Sequence, residues 1–165
     1  MSDRDDLFEM RLLDVPLTLR ERSRQHGAEL LREIDLISVG RAAGTTRHEL
    51  PQRLMELVQE LERVYAPYVG ANTDDLDAAL DRGDDTMAEV VYHLPRQSVA
   101  LVQHVEDLLR EVDAYLRAGQ ELLTLAPPPD VVAYREWVTS QVLGQAAGEP
   151  PTPWPVFAAR RGLGA

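Results

Sequence analysis

Cysteine and lysine are both absent from the 165 residues, and those two absences exclude several enzyme classes by counting alone. Without cysteine there is no thiol nucleophile, disulfide, thiolate zinc site or cysteine-ligated iron–sulfur cluster. Without lysine there is no P-loop lysine, no Schiff base and no pyridoxal attachment. All 17 basic residues are therefore arginine, a bias that GC-rich coding explains and that selection for bidentate pairing would also produce. Long apolar runs are missing too. No stretch approaches the ~20 apolar residues of a membrane span. The start, Met1-Ser2-Asp3-Arg4-Asp5-Asp6, is acidic where a secretory signal needs a basic segment and an apolar run. A cytoplasmic protein without membrane contact is expected.

Positive charge is scarce relative to negative. The formal net charge is −11 and the isoelectric point about 4.7, a field that repels a phosphate backbone and argues against nucleic acid as a partner. Apolar residues make up 44% and charged residues 27%, the balance of a folded globular chain. One core suffices at this length.

The patterning is mainly helical. Leu7 to Leu13 alternates in the period-two manner of a half-buried strand, with Phe8, Met10 and Leu12 set against Glu9 and Arg11. A first helix is predicted over Pro16–Ser38, with Leu19, Ser23, His26, Leu30, Ile34 and Ile37 in line and Gly27 as a weak point. A second is predicted over Arg47–Val69, with Leu50, Leu54, Leu57, Leu61, Val64 and Tyr68 on one stripe opposite Glu56, Gln59, Glu60 and Arg63. A short acidic helix over Asp74–Arg82 stops at Gly83. Residues 87–94 read as strand or helix. Their β-branched and aromatic content makes Glu89–His93 the best partner for the first strand. A further helix spans Arg96–Ala118, with Val99, Val102, Val105, Leu109, Val112 and Leu116 inward. The last runs over Asp130–Ala147 behind three prolines. The expected fold is thus a mainly α helical bundle of four principal helices plus one short helix, supplemented by a small two-stranded element of residues 7–13 and 89–93. The expected organisation is a single domain over 1–148 and a proline-rich tail over 149–165.

The chemistry-bearing motifs are sparse. His26, His48, His93 and His104 are too far apart for a helical His-x-x-x-His pair, and none follows a glutamate by three residues, so no metal site or cofactor is expected. The acidic run from Asp74 to Asp85 fails as a calcium loop. Setting Gly83 at the glycine position puts Ala78, Leu80 and Arg82 where the first three ligands belong. Asp74, Asp75 and Asp77 read as a solvated face, with docking of a basic partner as the functional alternative. Gly40-Arg-Ala-Ala-Gly44 lacks the lysine and the preceding strand of a phosphate loop.

His26 on its helix invites comparison with a phosphotransfer histidine, although Glu29 and Leu30 stand where such domains place lysine and glycine. The plainer reading is a half-buried structural histidine. Tyr134 and Trp137 are candidates for a ligand pocket, or simply core. Trp154, with Phe157, sits in the proline-rich tail and is the better candidate for contact with a protein partner.

Two stretches carry a resemblance. The first is Asp6-Leu-Phe-Glu-Met-Arg-Leu-Leu-Asp-Val-Pro-Leu-Thr-Leu-Arg-Glu-Arg-Ser-Arg-Gln-His26. The second is Leu122-Leu-Thr-Leu-Ala-Pro-Pro-Pro-Asp-Val-Val-Ala-Tyr-Arg-Glu-Trp137, closing with Pro150-Pro-Thr-Pro-Trp154. Together they resemble a family of small actinobacterial proteins associated with partner-switching regulators, namely ATP-binding anti-sigma kinases and their STAS-domain antagonists. The resemblance implies a non-enzymatic adaptor or sensor in stress or sigma-factor signalling, acting on a protein partner. It carries over no catalytic residue. The chain lacks the asparagine and glycine boxes of the ATP-binding partner. A histidine phosphotransfer protein using His26, or a small-molecule sensor with an interhelical pocket, are the alternatives, and a homo-oligomer is compatible with any of them.

Overall fold

The structure, a computed structural model, describes residues 6–41, 56, 59, 60, 63, 72–117 and 126–163. Strand β1 covers Leu7–Pro16 and leads directly into helix α1, Leu17–Arg41. Residues 72–81 are helical (α2). Strand β2, Thr86–Pro95, then precedes α3, Ser98–Arg117, α4, Pro129–Ala146, and the short α5, Trp154–Arg160.

The two strands pair antiparallel from Leu7 opposite Pro95 to Pro16 opposite Thr86. The sheet therefore extends well past residues 7–13 and 89–93. Its added length contains Asp14, the one non-glycine residue with positive φ (55°) among those described. Phe8, Met10 and Leu12 point into the core in strict alternation, and after Asp14 the buried positions become Val15 and Leu17. A single left-handed residue, which Asp tolerates better than most, shifts the phase of alternation by one. The end of β1 and the start of α1 thus stay on the buried side.

The expected four-helix bundle is not what forms. The core cluster joins Phe8, Met10, Leu12 and Val15 of β1 with Val90 and Leu94 of β2, Leu76 and Ala79 of α2, and Tyr134, Trp137 and Val142 of α4. Helix stripes do not simply meet one another. The apolar face of a sheet needs a helix laid across it, and α4 takes that place, touching β1, α1, α3 and α5. Helices α1 and α3 each pack on α4 rather than on one another. The predicted helix over Arg47–Val69, with its Leu57 stripe, lies largely outside the described residues. Glu56, Gln59, Glu60 and Arg63 of its polar side are described, and all four are helical and exposed.

Element ends follow local rules. Gly83 (φ 85°) closes α2, with its N–H donating to Leu80 O at 2.9 Å and the Asp84 N–H to Ala79 O at 3.1 Å. Gly148 (φ 90°) closes α4 in the same way, through bonds to Gln145 O and from Glu149 to Gly144 O. This is the double-bonded glycine cap that satisfies the last carbonyls of a helix. Beyond Gly148 the chain turns back. The Trp137 indole N–H donates to Thr152 O at 2.8 Å, and the Thr152 N–H donates to Gln141 Oε1 at 2.8 Å. α5 then lies against β1 and α4. Among the described residues no helix is long and apolar enough to cross a membrane.

Candidate functional site

Because α1 and α3 lean on α4 without closing on each other, a cavity of about 420 Å3 is left between them. Its floor is the core face of the sheet. Met10 and Leu12 come from β1, Tyr92 and Leu94 from β2, and Tyr134 and Val138 from α4. Small-molecule sites are typically apolar clefts of roughly 300–1,000 Å3 with a few convergent polar groups, and this one has that character. A groove of about 610 Å3 beside the outer edge of β2 is bounded by Asn72, Asp75, Arg82 and Glu89. It is more polar and draws its walls from fewer elements, which makes it the weaker candidate despite its volume.

The polar groups of the cavity fall into two sets. On the α1 side, Arg20 is largely buried, its side chain 12% exposed, and its Nη1 donates to Asp77 Oδ1 at 2.7 Å. Tyr92 and Tyr134 lie within electrostatic reach of that guanidinium, and burial raises both phenol pKa values. Neither hydroxyl has a hydrogen-bond partner among the described residues.

On the α3 side, Glu106 enters the wall at 1% exposure. Arg135 of α4 links it to Asp113, which is 2% exposed. Arg135 Nε donates to Glu106 Oε2 at 3.0 Å, and Nη2 donates to Asp113 Oδ2 at 2.6 Å. Arg110 adds an ion pair to Glu106 Oε1 at 3.3 Å. That contact lacks hydrogen-bond alignment, and Glu106 Oε1, like Asp113 Oδ1, is buried without a hydrogen bond among the described residues. Burial pushes the Glu106 carboxyl up despite Arg135. Burial also works against the Arg135 charge, but its bond to Asp113 and the field of Glu106 outweigh that and raise its pKa.

The residues singled out by sequence separate here. Tyr134 lines the cavity, whereas Trp137, fully buried, lies in the core in a triangle of rings with Tyr134 and Trp154, at centroid distances of 5.7 and 5.6 Å. Trp154 and Phe157, rings 6.2 Å apart, pack against the core cluster. Asp74 and Asp75 are exposed on α2, while Asp77 is turned inward to Arg20. His26 is half-buried on α1, its Nε2 sealed from solvent without a partner, and burial lowers its pKa against the opposing field of Asp113.

Sequence reasoning missed Arg20, Tyr92, Glu106, Asp113 and Arg135. The signal for the two acids was present: Val102, Val105, Glu106, Leu109 and Asp113 keep helical spacing, so both carboxylates fall within the inward stripe of α3. No group of three or more potential metal ligands occurs among the described residues. No family model matches the chain, and neither does any curated protein or solved structure.

Proposed function

We propose that this chain is a non-enzymatic, cytoplasmic regulatory module that binds a small, mainly apolar molecule between α1, α3, α4 and the sheet. The observation that carries the reading is the cavity itself. About 420 Å3 of space opens onto the core face of the sheet, and buried hydrogen-bonding groups border it on two sides. An open, mainly apolar cleft of this size beside Tyr134 and Glu106 has the shape and lining of a small-molecule site. Occupancy would set the separation of α1 and α3, both of which rest on α4. A protein partner reading the outer faces of those helices would then sense the ligand, as the sensor role implied by the partner-switching resemblance requires.

Phosphotransfer through His26 has less support, because its Nε2 is buried and a phosphoryl donor needs an approachable nitrogen. Partner contact through Trp154 also has less support, since its ring is engaged by Tyr134, Trp137 and Phe157.

The test is thermal unfolding with 1-decanol and 2-naphthol on the native chain and on Val138→Trp, which fills the cavity from α4. A ligand that binds only the folded state raises the melting temperature with its concentration. The expected result is a rise in the native chain and none in Val138→Trp. No rise in either protein, or an equal rise in both, overturns the reading.

A further inference from the structure

The two sets of polar groups around the cavity differ in how far their hydrogen bonding is met. On the α3 side the acid of the wall, Glu106, is already engaged by two guanidiniums, Arg135 and Arg110. On the α1 side the balance is reversed. Arg20 spends one N–H on Asp77, and its guanidinium has further donors with no partner among the described residues. Asp77 is itself 47% exposed, so water screens much of its charge and the Arg20 charge is only partly neutralised.

Beside Arg20 stand two phenols. Tyr92 and Tyr134 come from different elements, β2 and α4, and both line the cavity with Arg20. Burial keeps each phenol in its neutral form, and a neutral phenol donates a hydrogen bond. A guanidinium with spare donors and two hydroxyls unpartnered among the described residues therefore share the lining of a cavity whose other polar wall is the ion-paired Glu106 and Arg135. The Arg20 side is donor-rich and cationic, and a negatively charged acceptor satisfies it. Arg24 and Arg135 also line the cavity, but Arg24 is held in a two-point contact by Glu21 and Arg135 by Glu106 and Asp113. One guanidinium, Arg20, is thus left to match one planar carboxylate, whereas the surrounding Met10, Leu12 and Val138 offer a phosphate dianion nothing.

Resting on the ligand-binding reading above, we infer that the cavity takes a small organic acid, an apolar body bearing a single carboxylate, with that carboxylate seated on Arg20, Tyr92 and Tyr134. The apolar body lies over Met10 and Leu12 toward Val102 and Val138. Binding is non-covalent and needs no cofactor.

Isothermal titration at neutral pH with decanoate, 1-decanol and decylammonium tests the headgroup on a constant tail. A parallel set, 2-naphthylacetate, 2-(2-naphthyl)ethanol and 2-(2-naphthyl)ethylammonium, tests a second body shape. The native chain is expected to hold the carboxylate at least tenfold tighter than the alcohol on one of the two bodies, with the ammonium weakest. Arg20→Gln should bring acid and alcohol to within about threefold, mainly by weakening the acid. An unchanged far-ultraviolet circular dichroism spectrum and a cooperative melt show that the variant is folded. The doubly substituted Tyr92→Phe, Tyr134→Phe chain keeps the shape of the wall and should weaken the carboxylate alone.

Equal binding of acid and alcohol, or preference for the ammonium, overturns the headgroup assignment while the cavity remains a ligand site. Binding by none of the six probes overturns the ligand-binding reading itself, and the headgroup assignment falls with it.

Discussion

Gln145 of α4 holds the backbone of Arg11 in β1 by both of its polar groups. Its Oε1 accepts the Arg11 N–H at 2.8 Å and its Nε2 donates to Arg11 O at 2.8 Å. An amide side chain thus occupies the outer edge of β1 as a neighbouring strand would, and an otherwise open edge is blunted. On the other strand, Asn72 plays half of this part by donating to Val91 O at 2.9 Å. Gln145→Leu removes both bonds and is expected to cost about 1–3 kcal/mol. Urea unfolding measures the loss, and hydrogen exchange should show the Arg11 amide losing protection before its neighbours.

Among the described residues, Arg135 is the one hydrogen-bonded to both buried acids, Glu106 and Asp113. Arg135→Met should cost roughly 3–5 kcal/mol at neutral pH, because two carboxylates lose their hydrogen-bonded counter-charge in a dry environment. The loss should shrink in acid. Glu106 already has its folded pKa above the ordinary 4.5. Its contribution is therefore full below the unfolded value and lost as pH rises through the folded one. Removing Arg135 widens that window. Unfolding curves for both proteins between pH 4 and 8, on the order of one measurement per half unit, check the convergence.

His26 acts in the opposite direction. Burial depresses its pKa below 6.5, so the stability linked to its neutral form is present above that value and lost as pH falls through the folded pKa. Asp113 and Glu29 pull against this shift and Arg135 assists it. His26→Gln, which cannot titrate, should lose less stability than the native chain on going from pH 8 to pH 5. Identical pH profiles for the two proteins would remove His26 from the account.

Trp154 and Phe157 of the tail pack against the core. Trp154 meets Tyr134 at 5.8 Å and Trp137 at 5.6 Å, both edge to face, and Arg161 closes the turn with a 2.8 Å ion pair to Glu136. Trp154→Ala is expected to cost about 2–4 kcal/mol, somewhat below the value for a fully buried tryptophan. Truncation after Gly148 should cost more, since it also strips the acceptor from the Trp137 indole. Near-ultraviolet circular dichroism and a lowered melting temperature report both.

Gly27 lies in α1 with open space where a Cβ would stand. Gly27→Ala should therefore stabilise the chain by about 0.5–1 kcal/mol through helix propensity alone. An increased denaturation midpoint at unchanged slope is the expected signature.

Several elements were legible beforehand because their causes are local. Alternation from Phe8 to Leu12 reports a strand, the apolar line of α3 reports a helix, and Gly83 and Gly148 mark helix ends through a backbone conformation that glycine adopts most easily. The cavity was not legible. Tyr134 was within view as a pocket residue, but Arg20, Tyr92 and Glu106 sit on three other elements, and no spacing along the chain links them. The packing of Trp154 was not legible for the same reason: only the turn at Gly148 brings this half-buried ring against Tyr134 and Trp137 of α4.

Composition and periodicity by themselves determined what chemistry is excluded, where the chain turns helical or extended, and which faces are apolar. Those properties depend on residue type and near neighbours. Tertiary structure alone decided that the sheet, not a ring of helices, organises the core. Burying a two-stranded apolar face requires one helix to lie across it, and α4 does so by leaving α1 and α3 apart. The space between them, and the meeting of Arg20 with Tyr92 and Tyr134 at its edge, are consequences of packing between distant segments.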